Sequence, residues 1–199
     1  LSILQLEHQG VHAPLTIPAP LCYVEKNSKE KEDFFLSSLE KNLGYPMVFK
    51  ENHGSLGKQV RLISSRDELE KTYQEYKKIP HLYEKFLSKH RGHDFRLIVV
   101  DKKVVAVMER INEADFRSNI ALGGRGKDAT NTIPGSFKDM AIKASSALKL
   151  DYAGIDIAMD DDGSPMFLEA NGNAFFTEIE KVTNINIAKE IVKMILKRL

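Results

Sequence analysis

Asp156, Glu169 and Asn171 stand in the otherwise apolar stretch "YAGIDIAMDDDGSPMFLEANGN". Two carboxylates and an amide oxygen are hard ligands of the kind that suits Mg²⁺ or Mn²⁺. Whether they meet depends on the segments that carry them. "AGIDIAM" and "PMFLEAN" read as β-strands, being short, apolar and bounded by turn residues. Between them "DDDGS" contains Asp-Gly, a two-residue hairpin signal. A hairpin centred between Asp162 and Gly163 sets Asp156 opposite Glu169, with Asn171 two residues further on the same face. Like charges opposed across a sheet destabilise it, and a divalent cation is the simplest compensation. The bland alternative is a surface hairpin that ends in two solvated acids.

Other charged side chains sit in or beside expected strands. Lys50 ends "MVFK", Glu84 lies in "LYEKFL", and Asp94 and Arg96 are two apart in "DFRLIVV". Arg110 ends the facing strand, and Arg117 and Asn119 stand in "FRSN". Each alone reads as a solvated strand end. Cations and metal-binding acids together are the chemistry of a nucleoside triphosphate. The loop "GSLGK" is no Walker motif: Gly54 and Gly57 are too close, Gln59 replaces Ser or Thr, and the loop joins two strands. Its glycines can still lay backbone N–H groups over phosphate oxygens. The histidines offer no competing metal site. His8 and His12 are interrupted by Gly10, His90 and His93 flank Gly92 as loop residues, and His53 in the glycine loop reads as a solvated loop position.

The elements that must position these groups alternate between hairpins and helices, an α+β layout. After a short helix ending near Gly10 and a Pro-rich extended segment, an amphipathic helix is expected over residues 25–42. "YPMVFK" and "QVRLI" form a hairpin with the glycine loop at its tip. "SRDELEKTYQEYKK" is a helix capped by Ser65 or Asp67. "HLYEKFL" is a strand. "HDFRLIVV" and "VVAVMERI" make a hairpin turning at Asp101 to Lys103. The stretch from Asn112 to Pro134 lacks periodicity, and loops of that length usually carry function. "GSFKDMAIKASSALKL" and "NINIAKEIVKMILKRL" are helices. The expected divisions are a tail of a linker or preceding domain over 1–24, a small lobe with a glycine-loop lid over 25–79, and a large lobe over 80–199.

The 199 residues carry 29 basic and 28 acidic side chains, a balance that argues against a dedicated nucleic-acid binder. One cysteine, Cys22, permits no internal disulfide and fits a reducing cytoplasm. No apolar run reaches transmembrane length, so no membrane partner is expected. The chain does not open on Met, which suggests a piece of a longer protein. Monomer and homo-oligomer both stay open.

Seven motifs in order, "VFKENHGSLG", "YEKF", "HDFRLIVV", "VMERINEADFRSNIALGG", "AGIDI", "LEANGN" and "IEKVTNINIA", give the chain a resemblance to RimK-type ATP-grasp ligases, ATP-dependent carboxylate–amine ligases. The resemblance implies an ATP-grasp fold of two α+β lobes with ATP held between them, and ATP with Mg²⁺ or Mn²⁺ as cofactors. It implies that Lys50 contacts the phosphates under the loop of Gly54 and Gly57. Glu84 would accept from the adenine amino group, beside the backbone of Lys85 and Phe86, and Asp94 would hold the ribose. Arg96 would order the site or the substrate, and Arg117, Ser118 and Asn119 would face the phosphates and reacting acyl group. Arg117 and Arg96 are the catalytic candidates, and Asp156, Glu169 and Asn171 the metal ligands. The implied reaction joins a carboxylate, activated as an acylphosphate, to an amine such as the amino group of glutamate. The acceptor would be a peptide, a protein tail or a small molecule.

The chain departs from that pattern after Asn171. Asn173, Ala174 and Phe175 replace the usual Ser, Pro and Gly, and the paired phenylalanines are expected to narrow the site. Family members also carry an N-terminal α/β domain and a further ATP-contacting lysine ahead of the point where this chain starts. The alternative reading is a non-catalytic regulatory module that binds ATP and Mg²⁺, or the ATP-binding fragment of a larger ligase.

Overall fold

A computed structural model describes residues 2–21, 29–54 and 57–199. Cys22, the start of the helix expected from residue 25, and the glycine-loop tip at Ser55 and Leu56 lie outside these residues. The chain divides into two compact units, Pro14–Phe86 and a discontinuous one made of Leu1–Ala13 with Leu87–Leu199. The later division falls at 86/87 rather than at the expected 79/80. The reason is strand pairing: residues 81–85 pair with 16–18 and 47–51.

After α1 (Ser2–His8), the 14–86 unit runs β1 (Thr16–Pro18), α2 (Lys29–Leu43), β2 (Met47–Glu51), β3 (Val60–Ile63), α3 (Arg66–Tyr76) and β4 (His81–Lys85). Its antiparallel sheet has the order β1-β4-β2-β3. β4 therefore lies between β1 and β2 and belongs to this unit. Alternation sends Met47, Phe49, Ile63 and Tyr83 to one face, where Leu36, Leu39 and Leu43 of α2 and Leu69 and Tyr73 of α3 cover them. The opposite face carries Val48, Lys50 and Glu84, with Val48 directly across from Glu84. The cap of α3 is Ser65, whose hydroxyl accepts from Glu68 N–H, while the Glu68 carboxylate reaches back to Ser64 N–H at 2.7 Å.

His81 is 1% exposed and packs among Phe49, Tyr73 and Tyr83. Its Nδ1 faces the Ile79 carbonyl at 2.7 Å, and its Nε2 meets no polar partner. Burial pushes its pKa below the usual 6.5, against the opposing pull of that carbonyl. The unfolded chain then takes the proton first, so stability holds above the ordinary value and falls as pH drops below it. We expect the wild-type unfolding free energy, measured in urea, to fall as pH drops from about 7.5 to about 5.5, by up to about 1.4 kcal/mol per pH unit from this group. His81→Phe should remove that component. An identical pH slope in the variant would refute it.

The second unit continues with β5 (His93–Val100), β6 (Lys103–Ile111), β7 (Arg125–Asp128), α4 (Gly135–Ala147), β8 (Tyr152–Met159), β9 (Pro165–Asn171), α5 (Thr177–Thr183) and α6 (Ile187–Lys197). Its antiparallel sheet has the order β7-β6-β5-β8-β9. One face buries Phe95, Leu97, Val99, Val107, Ile155, Ile157 and Phe167 under α4 and residues Leu6 and Val11. The other buries Ile98, Val100, Ala106 and Met108 under Ile179 of α5 and Ile187 of α6. β5 and β6 turn through Asp101 and Lys102, both at positive φ, and Lys103 already pairs with Val100. The stretch 112–134 hides β7, an edge strand of sequence "RGKD" with no apolar alternation to announce it. Among the described residues no helix is long and apolar enough to cross a membrane.

Candidate functional site

The α5–α6 face of the five-stranded sheet is apolar at one end and charged at the other. Asp94 and Arg96 continue the Ile98–Val100 row of β5, and Arg110 continues Ala106 and Met108 of β6. Asp156 of β8 pairs with Arg96 on one side and Glu169 of β9 on the other, and Asn171 pairs with Gly154. The expected juxtaposition of Asp156 and Glu169 is present, but it arises differently. The hairpin is centred on Asp162, with the loop 160–164 in place of a two-residue turn and Gly163 at φ 89°. A bulge at Leu168 then moves the register by one residue and brings Glu169 opposite Asp156.

Asp156 is compensated by protein cations. Arg96 donates from Nε and Nη2 to its two oxygens at 2.8 and 2.7 Å. Arg110 Nη2 adds an ion pair at 2.8 Å. Arg110 also holds Asp94 bidentately at 2.7 and 2.5 Å. Asp94, Arg110 and Asp156 are buried. Burial alone would raise the Asp156 pKa, but Arg110 and Arg96 hold it well below the ordinary carboxylate value. That stabilisation is complete above the usual 3.8 and is lost only as pH falls through the depressed value. Arg110, counted in the sequence among the charged strand residues but given no role there, is the centre of this network.

Among the described residues no three His, Cys, Asp or Glu side chains gather as a metal centre. The oxygen set here is mixed, and it fits a hard cation: Glu169 is exposed, Asn171 half-exposed on the same face, and the Asp156 oxygens keep unused lone pairs. Asn171 Oδ1 also accepts from Asn173 N–H at 2.9 Å. The phenylalanines that follow do not crowd this face as a pair. Phe176 packs edge-on to Tyr152, and Phe175 is 81% exposed. The segment leading into them is pinned by Tyr152 Oη donating to the Ala174 carbonyl at 2.5 Å. Gly154 leaves the space that Ala174 fills, since a Cβ there would lie 2.6 Å from the Ala174 Cβ.

Arg117 sits on a loop built from backbone contacts. Its side chain pairs with Asp115 at 2.7 Å, and its ring neighbour is Phe116. Asn112 Oδ1 accepts from Ala114 and Asp115 N–H, and its amide donates to the Leu122 carbonyl. Gly92 N–H donates to the Phe116 carbonyl, and the Gly92 carbonyl accepts from Asn112 N–H. Ser118 is buried, with its carbonyl against Gly124, and the Asn119 carbonyl accepts from Leu122 and Gly124.

The remaining expected residues belong to the 14–86 unit. Lys50 Nζ pairs with Glu84 Oε2 at 2.5 Å, and Glu84 is buried. Lys85 N–H is already used by the Leu15 carbonyl, and Phe86 is half-buried. Gly54 and Gly57 flank the undescribed tip, Gly57 at φ 71°. A groove of about 450 Å³ between α2 and α3 is lined by charged side chains including Glu32, Arg66 and Glu70, and holds none of these residues.

A model of the RimK-like ATP-grasp domain matches residues 4–195. Human beta-citrylglutamate synthase B is 36% identical over 148 residues, which cover 73% of this chain and 38% of that protein. A probable alpha-L-glutamate ligase of Legionella pneumophila is 30% identical over 185 residues, 92% of this chain and 59% of that one. The chain thus spans less than two thirds of the length of these relatives. The solved ATP-grasp ligase PsnB, complexed with a phosphomimetic precursor variant, Mg and ADP, superposes with a TM-score of 0.69 at 20% identity, over 98% of this chain and 56% of that one.

Proposed function

This chain belongs to the RimK-like ATP-grasp domain family, and from that membership we propose that it is the nucleotide- and metal-binding part of an ATP-dependent carboxylate–amine ligase. The observation that supports this most is the charged row Arg96, Asp156, Glu169 with Asn171 on the same face. In this reading a substrate carboxylate oxygen attacks the γ-phosphorus, the bond to ADP breaks, and an acylphosphate forms. The amine nitrogen then attacks the acyl carbon, phosphate leaves, and the amine loses a proton. The names of the relatives favour an amino acid, glutamate, as the amine. A small-molecule or peptide carboxylate is its partner.

Lys50 and the loop of Gly54 and Gly57 neutralise and cover the triphosphate. Glu84, with the backbone of Lys85 and Phe86, receives adenine. The Lys50–Glu84 ion pair opens for both roles to be filled, and the half-buried Lys50 is the member that moves. Asp94 offers its remaining lone pairs to the ribose. Arg117, with Ser118 and Asn119, orients the acyl group and takes up its developing charge, work that phosphoryl transfer demands of the protein. Glu169, Asn171 and Asp156 would hold Mg²⁺, which when bound supplies further neutralisation of phosphate oxygens.

Calorimetric titration of ATP with and without Mg²⁺, followed by carboxylate-dependent ADP release, tests the proposal. Wild type should bind ATP in a Mg²⁺-dependent manner, and Glu169→Ala should weaken binding by at least on the order of tenfold. ATP bound without turnover on any carboxylate and amine tried would favour the non-catalytic module.

A further inference from the structure

We infer that Arg96 is a displaceable counter-ion: it neutralises Asp156 while no metal is bound, and a divalent cation arriving at Asp156 releases its guanidinium toward an anionic substrate group. The inference rests on the metal reading of the hairpin. Its first support is charge. Asp94, Arg110, Asp156 and Arg96 form a closed set of paired carboxylates and guanidiniums, with no net charge. A cation of charge two added to this set, with the facing Glu169 carboxylate counted, leaves one positive charge in excess, which low-dielectric surroundings make costly. One resident cation has to withdraw.

Geometry selects which. The Arg110 side chain is 3% exposed, and its Nη2 reaches both Asp94 and Asp156. Moving it would strand two carboxylates. The Arg96 side chain is 19% exposed, and both of its hydrogen bonds go to Asp156. Those bonds take a lone pair on each of Oδ1 and Oδ2, so a metal at Asp156 competes with this guanidinium for the same two oxygens.

Once released, the guanidinium is a planar fork suited to an oxyanion, carboxylate or phosphate. Metal loading would thereby create a substrate-binding cation that the metal-free protein keeps masked. Substrate capture would follow metal capture by electrostatics alone.

Mn²⁺ binding followed by the resonance of free Mn²⁺ tests the exchange. Arg96→Met should bind Mn²⁺ more tightly than wild type, on the order of tenfold, because the ion no longer competes with charged hydrogen bonds. Arg96→Lys, with one point charge and no fork, should fall between them. A merely structural Arg96 would loosen the hairpin and weaken binding, so equal or weaker affinity in Arg96→Met overturns the inference. In the second measurement the Nε–Hε signal of Arg96 should move on adding Mg²⁺ while that of Arg110 stays. A still Arg96 signal at saturating Mg²⁺ also overturns it. With Mg²⁺ present, inorganic phosphate and acetate are added separately. The one that shifts the Arg96 signal further identifies the anion, and no shift with either overturns the release. A wild type that binds no Mn²⁺, or whose binding survives Glu169→Ala, refutes the metal reading and this inference together. Binding that needs Glu169 but ignores Arg96 refutes the inference alone.

Discussion

Replacing Arg110 by methionine should lower stability by about 3–5 kcal/mol, the usual cost of breaking a buried ion pair by removing one partner. The methionine fills much of the space, so the loss is mainly electrostatic. Asp94 would be left buried with two oxygens that Arg110 had satisfied, and Asp156 would keep only Arg96. The double variant Asp94→Leu/Arg110→Met should recover part of the loss, since replacing a buried pair by apolar groups is often near neutral. Recovery should be incomplete because Asp156 remains. Urea unfolding of the two variants beside wild type decides it. A loss under about 1 kcal/mol for Arg110→Met would show that water reaches the network and replaces the guanidinium.

Gly92→Ala should cost on the order of 3 kcal/mol and also displace Arg117. Gly92 lies at φ 66°, where a residue with a Cβ pays about 1–2 kcal/mol. The added Cβ would also meet the Asn112 carbonyl oxygen at 2.1 Å and that of Asp115 at 2.6 Å. Both are backbone atoms and cannot turn aside, so the 112–117 loop must shift, an overpacking cost of about 1–3 kcal/mol. Asp115 holds Arg117, so the loop carries that guanidinium with it. Under the ligase reading, carboxylate-dependent ADP release should fall further than ATP affinity. Gly123→Ala is the control: it too has positive φ, but its added Cβ meets nothing within 4 Å. Equal losses in the two variants would assign the effect to backbone strain alone.

The sequence made the strands and their faces legible because apolar alternation reports burial directly, as in "HDFRLIVV" and "AGIDIAM". It could not show how the strands slip. Each long hairpin contains a bulge between its turn and the charged end of the sheet. Counting back from the Asp101–Lys102 turn without one would set Asp94 opposite Glu109 and hide the pairing with Arg110. Counting from the observed centre at Asp162 would set Leu168 opposite Asp156. The expected centre between Asp162 and Gly163 reached Glu169 because its half-residue displacement equalled the effect of the bulge. α5 was missed for another reason. Seven residues ended by Asn184 at positive φ leave too little periodicity to recognise. The apparent need for a metal beside Asp156 came from reading one hairpin alone, since the neutralising arginines come from β5 and β6.

The nesting of one unit within the other bears on how the chain is made and how it can be cut. Leu6 and Val11 lie in the same core as Phe137 of α4, and the His12 carbonyl accepts from Phe167 N–H. As the polypeptide leaves the ribosome, this segment has to wait for partners made between Phe95 and Phe167, while the 14–86 sheet already has all its strands. That inner unit also begins and ends side by side, because Thr16 pairs with Glu84 and Lys85 N–H reaches Leu15. It can therefore be excised and its two cut ends in the outer unit rejoined by a short tether, or transplanted into another loop, without unravelling either sheet.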